Sequence, residues 1–200
     1  MELKSRLTKF LFTNRSYTPI PFIILMLIFQ DSNIWSLLGG FLLVIIGEFI
    51  RFRGVSIAGS ETRTTGKVGG SNLIISGPFA YVRNPLYVGN ILIYTGAGIM
   101  SFAVFPYFQV IGFIYFVFQY YLIVLEEEGY LRKEFGKEYD DYFKNVPRFI
   151  PRLTKYKNPK AEQPQPDYKE GLRSERRTLQ AITVVVITIL LIHILRRLSF

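Results

Sequence analysis

Residues 86–125 read LYVGNILIYTGAGIMSFAVFPYFQVIGFIYFVFQYYLIVL, and this stretch decides the fold because it contains no charged residue. A helix of that length would rise about 60 Å, roughly twice the ~30 Å hydrocarbon thickness of a bilayer. The stretch therefore predicts two membrane spans joined by a tight turn at Pro106. Such a hairpin returns the chain to the side where it began. The polar motifs at its two ends, residues 77–87 and 126–131, then meet at one membrane face and form a candidate ligand site.

The composition of the whole chain agrees with a membrane protein. Half of the 200 residues are hydrophobic, the mean hydropathy is +0.24, and the apolar residues stand in blocks. The net charge of +9 does not indicate nucleic-acid binding, because basic residues beside apolar spans are what membrane topology and anionic lipids select. We expect membrane lipid as a partner and no nucleic acid.

The predicted fold is all-α, a polytopic membrane protein of about five transmembrane helices with a central helical hairpin. Residues 19–29 are too short to span a bilayer alone unless Tyr17 and Thr18 join the helix, and the expected arrangement is still a helical hairpin with the next apolar run. The predicted segments are a basic amphipathic N-terminus (1–18), a first transmembrane hairpin (19–53), a core (54–155), a polar linker (156–178) and a C-terminal transmembrane helix (179–200).

The distribution of basic residues predicts the orientation. If the first two spans form a hairpin, all nine basic residues before the central hairpin fall on one side, which the positive-inside trend assigns to the cytoplasm. Arginines flank the last apolar segment on both sides, so charge leaves its direction open. The N-terminus lacks the residue order of a cleavable signal. The expected location is the cytoplasmic membrane, with the site facing the cytoplasm. The basic residues counted are Lys4, Arg6, Lys9, Arg15, Arg51, Arg53, Arg63, Lys67 and Arg83.

The segment after the hairpin changes character. Leu131, Phe135 and Tyr139 recur at helical spacing among charged residues, which predicts an amphipathic helix over residues 131–142. Pro147 and Pro151 then prevent a continuous helix.

Residue usage excludes several kinds of chemistry. The chain has no cysteine and a single histidine, His193, inside the last apolar segment. A thiolate nucleophile, a cysteine-ligated metal, a multi-histidine metal site and a histidine-based triad are therefore excluded. We expect no bound metal.

The motifs at the two ends of the hairpin resemble a known enzyme superfamily. Residues 83–87 (Arg-Asn-Pro-Leu-Tyr) resemble the Arg-His-Pro-x-Tyr pattern of isoprenylcysteine carboxyl and phospholipid methyltransferases, and residues 127–131 resemble their Glu-Glu-x-x-Leu. Residues 135–151 resemble the Phe-Gly-x-x-Tyr and Val-Pro-x-x-x-Pro ending. Asn84 replaces the histidine of the family pattern. Asparagine keeps hydrogen-bonding capacity but cannot act as a base near neutral pH, so a binding role survives.

The resemblance implies S-adenosylmethionine as the cofactor and a role for each motif residue. Arg83 would bind the methionine carboxylate, and Glu127 or Glu128 would accept from ribose hydroxyls or the ammonium. Aromatic rings would pack against the sulfonium or adenine. Gly96-Ala97-Gly98 resembles a family Gly-x-Gly that lets a cofactor approach the backbone, although helix packing explains such a pattern equally well. The expected cofactor-binding set is Tyr81, Arg83, Asn84, Tyr87, Gly96, Gly98, Glu127 and Glu128. The expected catalytic set is Arg83, Glu128 and Arg148.

Simpler interpretations stand beside these roles. Arg83 alone could anchor a span end by reaching the interface. Three adjacent acids, Glu126 to Glu128, could be a solvated helix segment, but their mutual repulsion favours a bound cation. Glu48 could pair with Arg51 one turn later or contact the site. Arg148 and Arg152 could meet an acidic substrate group or a lipid phosphate. His193 is expected to be a structural or lipid-interface residue.

The predicted function is methyl transfer from S-adenosylmethionine to a lipophilic acceptor, a prenylcysteine-like carboxylate or a phospholipid amine. Two alternatives remain open on sequence: an NADPH-dependent membrane reductase of the steroid reductase type, and a non-catalytic small transporter or scaffold. The uncharged central hairpin offers no lining for a transport pathway, which disfavours the transporter.

Overall fold

The computed structural model describes residues 2–59, 73–158 and 163–198, and within them the chain is helical with no strand. This confirms the all-α fold class. Most of the polar loop before Ser76, with Arg63 and Lys67, lies outside the described residues. The helices are α1 (Glu2–Asn14), α2 (Pro19–Ile28), α3 (Ile34–Ala58), α4 (Pro85–Ser101), α5 (Tyr107–Asn145) and α6 (Tyr168–Leu198), with a 3-10 turn at Gly77–Ala80 before α4.

Three of the described helices, α3, α5 and α6, are long and apolar enough to cross a membrane. The segments Arg6–Asn14 and Pro19–Ile28 meet at 61° and make a fourth candidate if the bent pair counts as one span. Helix α4 has 17 residues and rises about 26 Å, slightly less than the ~30 Å hydrocarbon layer. The predicted count of about five spans is therefore not confirmed, because α2 and α4 are short.

Helix α4 packs against α3 through glycines. A Cβ atom on Gly96 would stand 2.6 Å from the Gly40 carbonyl oxygen, and one on Gly47 would stand 2.6 Å from the Gly89 carbonyl oxygen. Real Cβ atoms do not approach backbone oxygens so closely, so only glycine permits this separation of the helix axes. Close contact with α3 fixes the orientation of α4 and of the motif at its first turn.

We expect Gly40→Ala to destabilise the protein by about 1–3 kcal/mol, because the added methyl group would clash with the backbone of α4 at Gly96 and Met100. The matched control is Gly39→Ala on the same helix, where a Cβ meets no atom within 4 Å. Unfolding in mixed detergent micelles measures both free energies. Equal stabilities of the two variants would contradict the close α3–α4 contact.

The two ends of the helical bundle are held by different contacts. At one end, Asp31 N donates to Ser101 O at 2.9 Å, and His193 Nδ1 lies 3.0 Å from Ser32 Oγ. At the other end, Asp167 N donates to Ser56 O at 2.7 Å. Helix α6 therefore runs antiparallel to α3, which fixes its direction relative to the other helices. The contact with Ser32 places His193 against the loop between α2 and α3.

The central hairpin follows the predicted course, with a longer second arm. Residues 102–106 connect α4 to α5, and α5 continues through the glutamates to Asn145. The predicted amphipathic helix, residues 131–142, lies in the far part of α5, but a non-helical Gly136 (φ 51°, ψ −122°) interrupts it. Its apolar face buries Tyr139 and Tyr142 against Leu73 and Val146. This face lies on the protein itself.

The chain after α5 folds back along the segment before α4. Arg83 N donates to Pro147 O at 2.9 Å, and Arg152 N donates to Tyr81 O at 2.9 Å. The predicted linker is shorter than expected, because α6 begins at Tyr168 inside the segment assigned to it. Asp167 caps this helix, accepting from Glu170 N at 2.9 Å.

Candidate functional site

The centre of the candidate site is a buried carboxylate between two guanidinium groups. Arg83 donates to Glu128 Oε1 from Nε at 3.0 Å and from Nη2 at 2.9 Å. Arg148 donates to Oε1 from Nε at 3.1 Å and to Oε2 from Nη2 at 2.6 Å. Both Glu128 oxygens are thus engaged by charged donors, so this carboxylate joins the two arginines.

The structure gives Arg83 partners that the sequence did not predict. Its Nη1 donates to the carbonyl oxygens of Phe143, at 2.7 Å, and Val146, and its Cζ lies 4.2 Å from the Phe143 ring centroid. With the two bonds to Glu128, four of its five N–H donors are used. Arg83 therefore ties the start of α4 to the end of α5, and little of its guanidinium is left to fork onto a ligand carboxylate.

Arg148 is the more accessible of the two arginines. Its side chain is 22% exposed, against 8% for Arg83. Hydrogen bonding to the Glu128 carboxylate raises the pKa of the Arg148 guanidinium above its ordinary value, so the group stays charged. Its Cζ lies 5.0 Å from the Tyr121 ring centroid, which steadies the side chain. Arg148 is thus the better placed cation for an anionic ligand group.

The second carboxylate of the motif has a different neighbour. Tyr87 donates from its hydroxyl to Glu127 Oε1 at 2.6 Å, and its ring stacks on Tyr120 at a centroid distance of 4.7 Å. Successive residues on a helix point about 100° apart, so Glu126 is exposed, Glu127 half-buried and Glu128 buried. Glu127 and the Tyr87 hydroxyl form a polar pair. The stacked rings of Tyr87 and Tyr120 beside it are called the aromatic wall below.

The other predicted residues of the first motif lie close to this centre. Asn84 Nδ2 donates to Arg148 O at 3.2 Å, so the residue that replaces the histidine of the family pattern holds the backbone of the returning chain. Tyr81 is 38% exposed, and its carbonyl is paired with Arg152 N. Arg152 itself donates to Asn145 O at 2.8 Å, which draws its side chain to the end of α5.

The structure does not bring the predicted glycines to this centre. Gly96 is 11 residues beyond Pro85, about 16 Å along α4, and packs on α3. Helix packing, the alternative considered for this glycine, is what the structure shows. Gly98 instead lines an apolar cavity of about 100 Å³ between α2, α4, α5 and α6. Tyr94 and Phe116 line the same cavity and belong to the aromatic cluster that contains the Tyr87–Tyr120 stack.

Comparison with known proteins identifies the family. Residues 35–138, just over half of the chain, match the family model for phospholipid methyltransferases. This chain belongs to the phospholipid methyltransferase family. The match covers α3, α4 and most of α5, and therefore includes both motifs of the hairpin. Arg148 and the whole of α6 lie beyond it.

Two curated proteins are similar to part of this chain. The nickel-cobalt-cadmium resistance protein NccN of Alcaligenes xylosoxydans xylosoxydans is 31% identical over 88 residues, which are 44% of this chain and 40% of the relative. The cobalt-zinc-cadmium resistance protein CzcN of Cupriavidus metallidurans is 34% identical over 89 residues, 44% of this chain and 39% of the relative. This chain thus spans about two-fifths of the length of these relatives. In its own described residues, no group of three or more His, Cys, Asp or Glu is placed to hold a metal ion.

Sequence reasoning missed a second polar cluster in this phospholipid methyltransferase family member. Arg51 is buried and lies 2.8 Å from Glu175 Oε1, a carboxylate with no exposed surface. Glu48, which the sequence paired with Arg51, lies 3.9 Å from it. The charged start of α6 resembled a solvated linker, so nothing in the local pattern indicated that Glu175 is buried. Asn90 and Tyr120 join the cluster from α4 and α5.

Proposed function

We propose that this protein transfers a methyl group from S-adenosylmethionine to a lipophilic acceptor, a prenylcysteine-like carboxylate or a phospholipid amine. One observation carries the proposal: within a phospholipid methyltransferase family match, Tyr87 and Glu127 stand beside the Arg83–Glu128–Arg148 cluster at one end of the hairpin. We place this end at the cytoplasmic face of the cytoplasmic membrane, because Arg51, Arg53 and Arg83 collect there.

The residues present fit the chemical groups of S-adenosylmethionine. Arg148, charged and partly exposed, would hold the carboxylate. Glu127 would accept from the ammonium or the ribose hydroxyls, and the tyrosine rings would pack against the sulfonium or the adenine. Tyr81, at the exposed rim, is a second candidate for the adenine. Arg83 and Asn84 would act indirectly, since they position the backbone that carries Arg148.

When bound, the cofactor would supply a methyl group carried on a sulfonium. The sulfur–methyl bond breaks as the acceptor–methyl bond forms, and the rest of the cofactor is left as a neutral thioether. The chain's own residues therefore have to hold both reactants in line and keep water out, which can supply most of the acceleration. Arg83 and Glu128 serve this positioning by joining α4, α5 and the returning chain.

The nature of the acceptor decides whether a base is needed. A carboxylate acceptor needs none. An amine acceptor must lose a proton, and we propose Glu127 for that role in place of Glu128. Both Glu128 oxygens accept from arginines, whereas Glu127 receives only the neutral Tyr87 hydroxyl from the described side chains.

The apolar cavity supports a lipophilic acceptor. Its lining is almost entirely hydrocarbon and aromatic, and Tyr94 and Phe116 connect it to the aromatic wall of the site. A long chain in the bilayer could enter there while its reactive group stays near Glu127 at the headgroup level. Each methylene that is buried favours docking by about 0.8 kcal/mol.

We expect S-adenosylmethionine to stabilise the detergent-solubilised protein, by about 1.4 kcal/mol at ten times the dissociation constant. Thermal unfolding with S-adenosylmethionine and, in parallel, with NADPH measures this effect. A higher unfolding temperature with NADPH but not with S-adenosylmethionine would contradict the methyltransferase proposal and favour the reductase. No shift with either ligand would favour the non-catalytic alternative.

Acceptor chemistry can be tested on the same preparation. Radiolabelled methyl transfer would be compared between a prenylcysteine-like acid and a phospholipid amine, each with a short and a long apolar chain. Transfer to long-chain acceptors of one headgroup supports the proposal and identifies the acceptor class. Equal rates on short water-soluble acceptors would contradict entry from the lipid.

A further inference from the structure

The polar cluster around Arg51 joins α6 to α3, α4 and α5. Arg51 Nη2 lies 2.8 and 2.9 Å from the two oxygens of Glu175, and 3.5 Å from Thr178 Oγ1. Neither Arg51 nor Glu175 has more than a tenth of its surface exposed. A buried arginine is costly without a carboxylate partner. Helix α6 lies beyond the region that matches the family, yet its Glu175 neutralises Arg51, which lies inside that region.

A continuous series of contacts leads from this ion pair to the candidate site. Arg51 Nη1 donates to Asn90 Oδ1, and Asn90 Nδ2 donates to Tyr120 OH at 3.0 Å. The Tyr120 ring stacks on Tyr87, whose hydroxyl donates to Glu127. Because each side chain in this series contacts the next, the position of the Arg51 guanidinium affects the orientation of the stacked Tyr120 and Tyr87 rings.

We propose that α6 holds the ligand-facing side of the site in place through this series, and that Glu175 and Arg51 are positioning residues for Tyr87 and Glu127. The inference rests on the proposed binding of S-adenosylmethionine at the aromatic wall. Glu175 orients Arg51, Arg51 orients Asn90, and Asn90 fixes the rotation of the Tyr120 hydroxyl and ring. Loss of any link allows the two stacked tyrosines to turn away from Glu127.

A purely structural ion pair makes a different prediction. If Glu175 only stabilised the fold, its replacement would lower stability, and any effect on ligand binding would be independent of Tyr120. If Glu175 acts through Tyr120, the two residues are energetically coupled, and removing one makes the other matter less. A double-mutant cycle on ligand binding separates these cases, since independent effects multiply and coupled effects do not.

The experiment measures the dissociation constant of S-adenosylmethionine, together with the thermal midpoint, for the full chain in detergent. The variants are Glu175→Gln, Tyr120→Phe and the double variant. The matched control is Glu170→Gln on the same helix, which removes an exposed ion pair with Arg173 of 3.3 Å. Tyr120→Phe keeps the ring stack and removes the hydroxyl, which accepts from Asn90 and is also hydrogen-bonded to Tyr94.

We expect Tyr120→Phe and Glu175→Gln each to weaken binding about 3- to 10-fold, as for a lost hydrogen bond. The dissociation constant of the double variant should be at most about twice that of whichever single variant binds S-adenosylmethionine more weakly. The control should bind like the parent. If the fold-changes of the two single variants multiply in the double variant, or if Glu175→Gln binds like the parent, the positioning role of Glu175 is overturned.

If Glu175→Gln does not fold, Glu175→Asp takes its place in the cycle, since it keeps the charge beside Arg51 and changes only the length of the side chain that orients the guanidinium. The same outcomes then support or overturn the proposal. A parent protein that binds no S-adenosylmethionine overturns the proposed function itself, and the positioning role with it. A parent that binds normally but shows multiplying effects overturns the positioning role alone.

Discussion

Glu128→Gln is expected to lower the free energy of unfolding by about 3–5 kcal/mol, the cost of leaving a buried charge without its partner. Here one substitution removes the countercharge of two guanidinium groups. The Arg83 and Glu128 side chains are each 8% exposed, so water cannot replace the lost bonds. Unfolding in mixed detergent micelles, followed by circular dichroism, measures the change.

The matched control for this variant is Asp140→Asn on the same helix. Asp140 pairs with Arg132 at 2.7 Å, but both side chains are about half exposed, so the expected loss is under about 1 kcal/mol. Similar losses in the two variants would show that Glu128 is solvated and does not join α4, α5 and the returning chain.

Glu127→Gln is expected to weaken S-adenosylmethionine binding about 10- to 150-fold, which corresponds to a lost charge-assisted hydrogen bond of roughly 1.5–3 kcal/mol. Glutamine keeps the shape of the side chain and can still accept from Tyr87, so stability should change little. Titration calorimetry of the detergent-solubilised variant measures the dissociation constant.

Glu126→Gln provides the neighbouring control, because Glu126 carries the same charge one residue earlier but is exposed. It should bind the cofactor like the parent protein. If Glu126→Gln weakens binding as much as Glu127→Gln does, the effect comes from the overall negative charge of the segment. A specific contact at Glu127 would then be ruled out.

Much of the fold follows from local features of the sequence. The length of the uncharged stretch and the thickness of a bilayer are enough to predict the central hairpin and the meeting of its two motifs. The prolines at 147 and 151 predict the irregular chain after α5. The number of spans was harder to predict, because whether a helix of 10 or 17 residues crosses a bilayer depends on how the bundle tilts and covers it.

The roles within the site were less predictable than its location. Gly96 fitted both cofactor binding and helix packing, and only its contact with Gly40 decides for packing. The sequence predicted that Arg83 binds a ligand carboxylate, yet its Nη1 donates to the carbonyl groups of Phe143 and Val146, which are 60 and 63 positions later in the chain. Glu175 looked like part of a solvated segment, and a helix packed at that point buries it.

The sequence alone determined that this chain is a helical membrane protein whose arginine and glutamate motifs meet at one end of a hairpin. Hydrophobic length, charge and proline act over a few residues, so they can be read without knowing what lies opposite. The tertiary structure alone decided that Glu128 joins two arginines, that Glu127 faces Tyr87, and that Glu175 neutralises Arg51. These pairings depend on the rotation of each helix about its axis and on where distant parts of the chain return, and no local pattern encodes either.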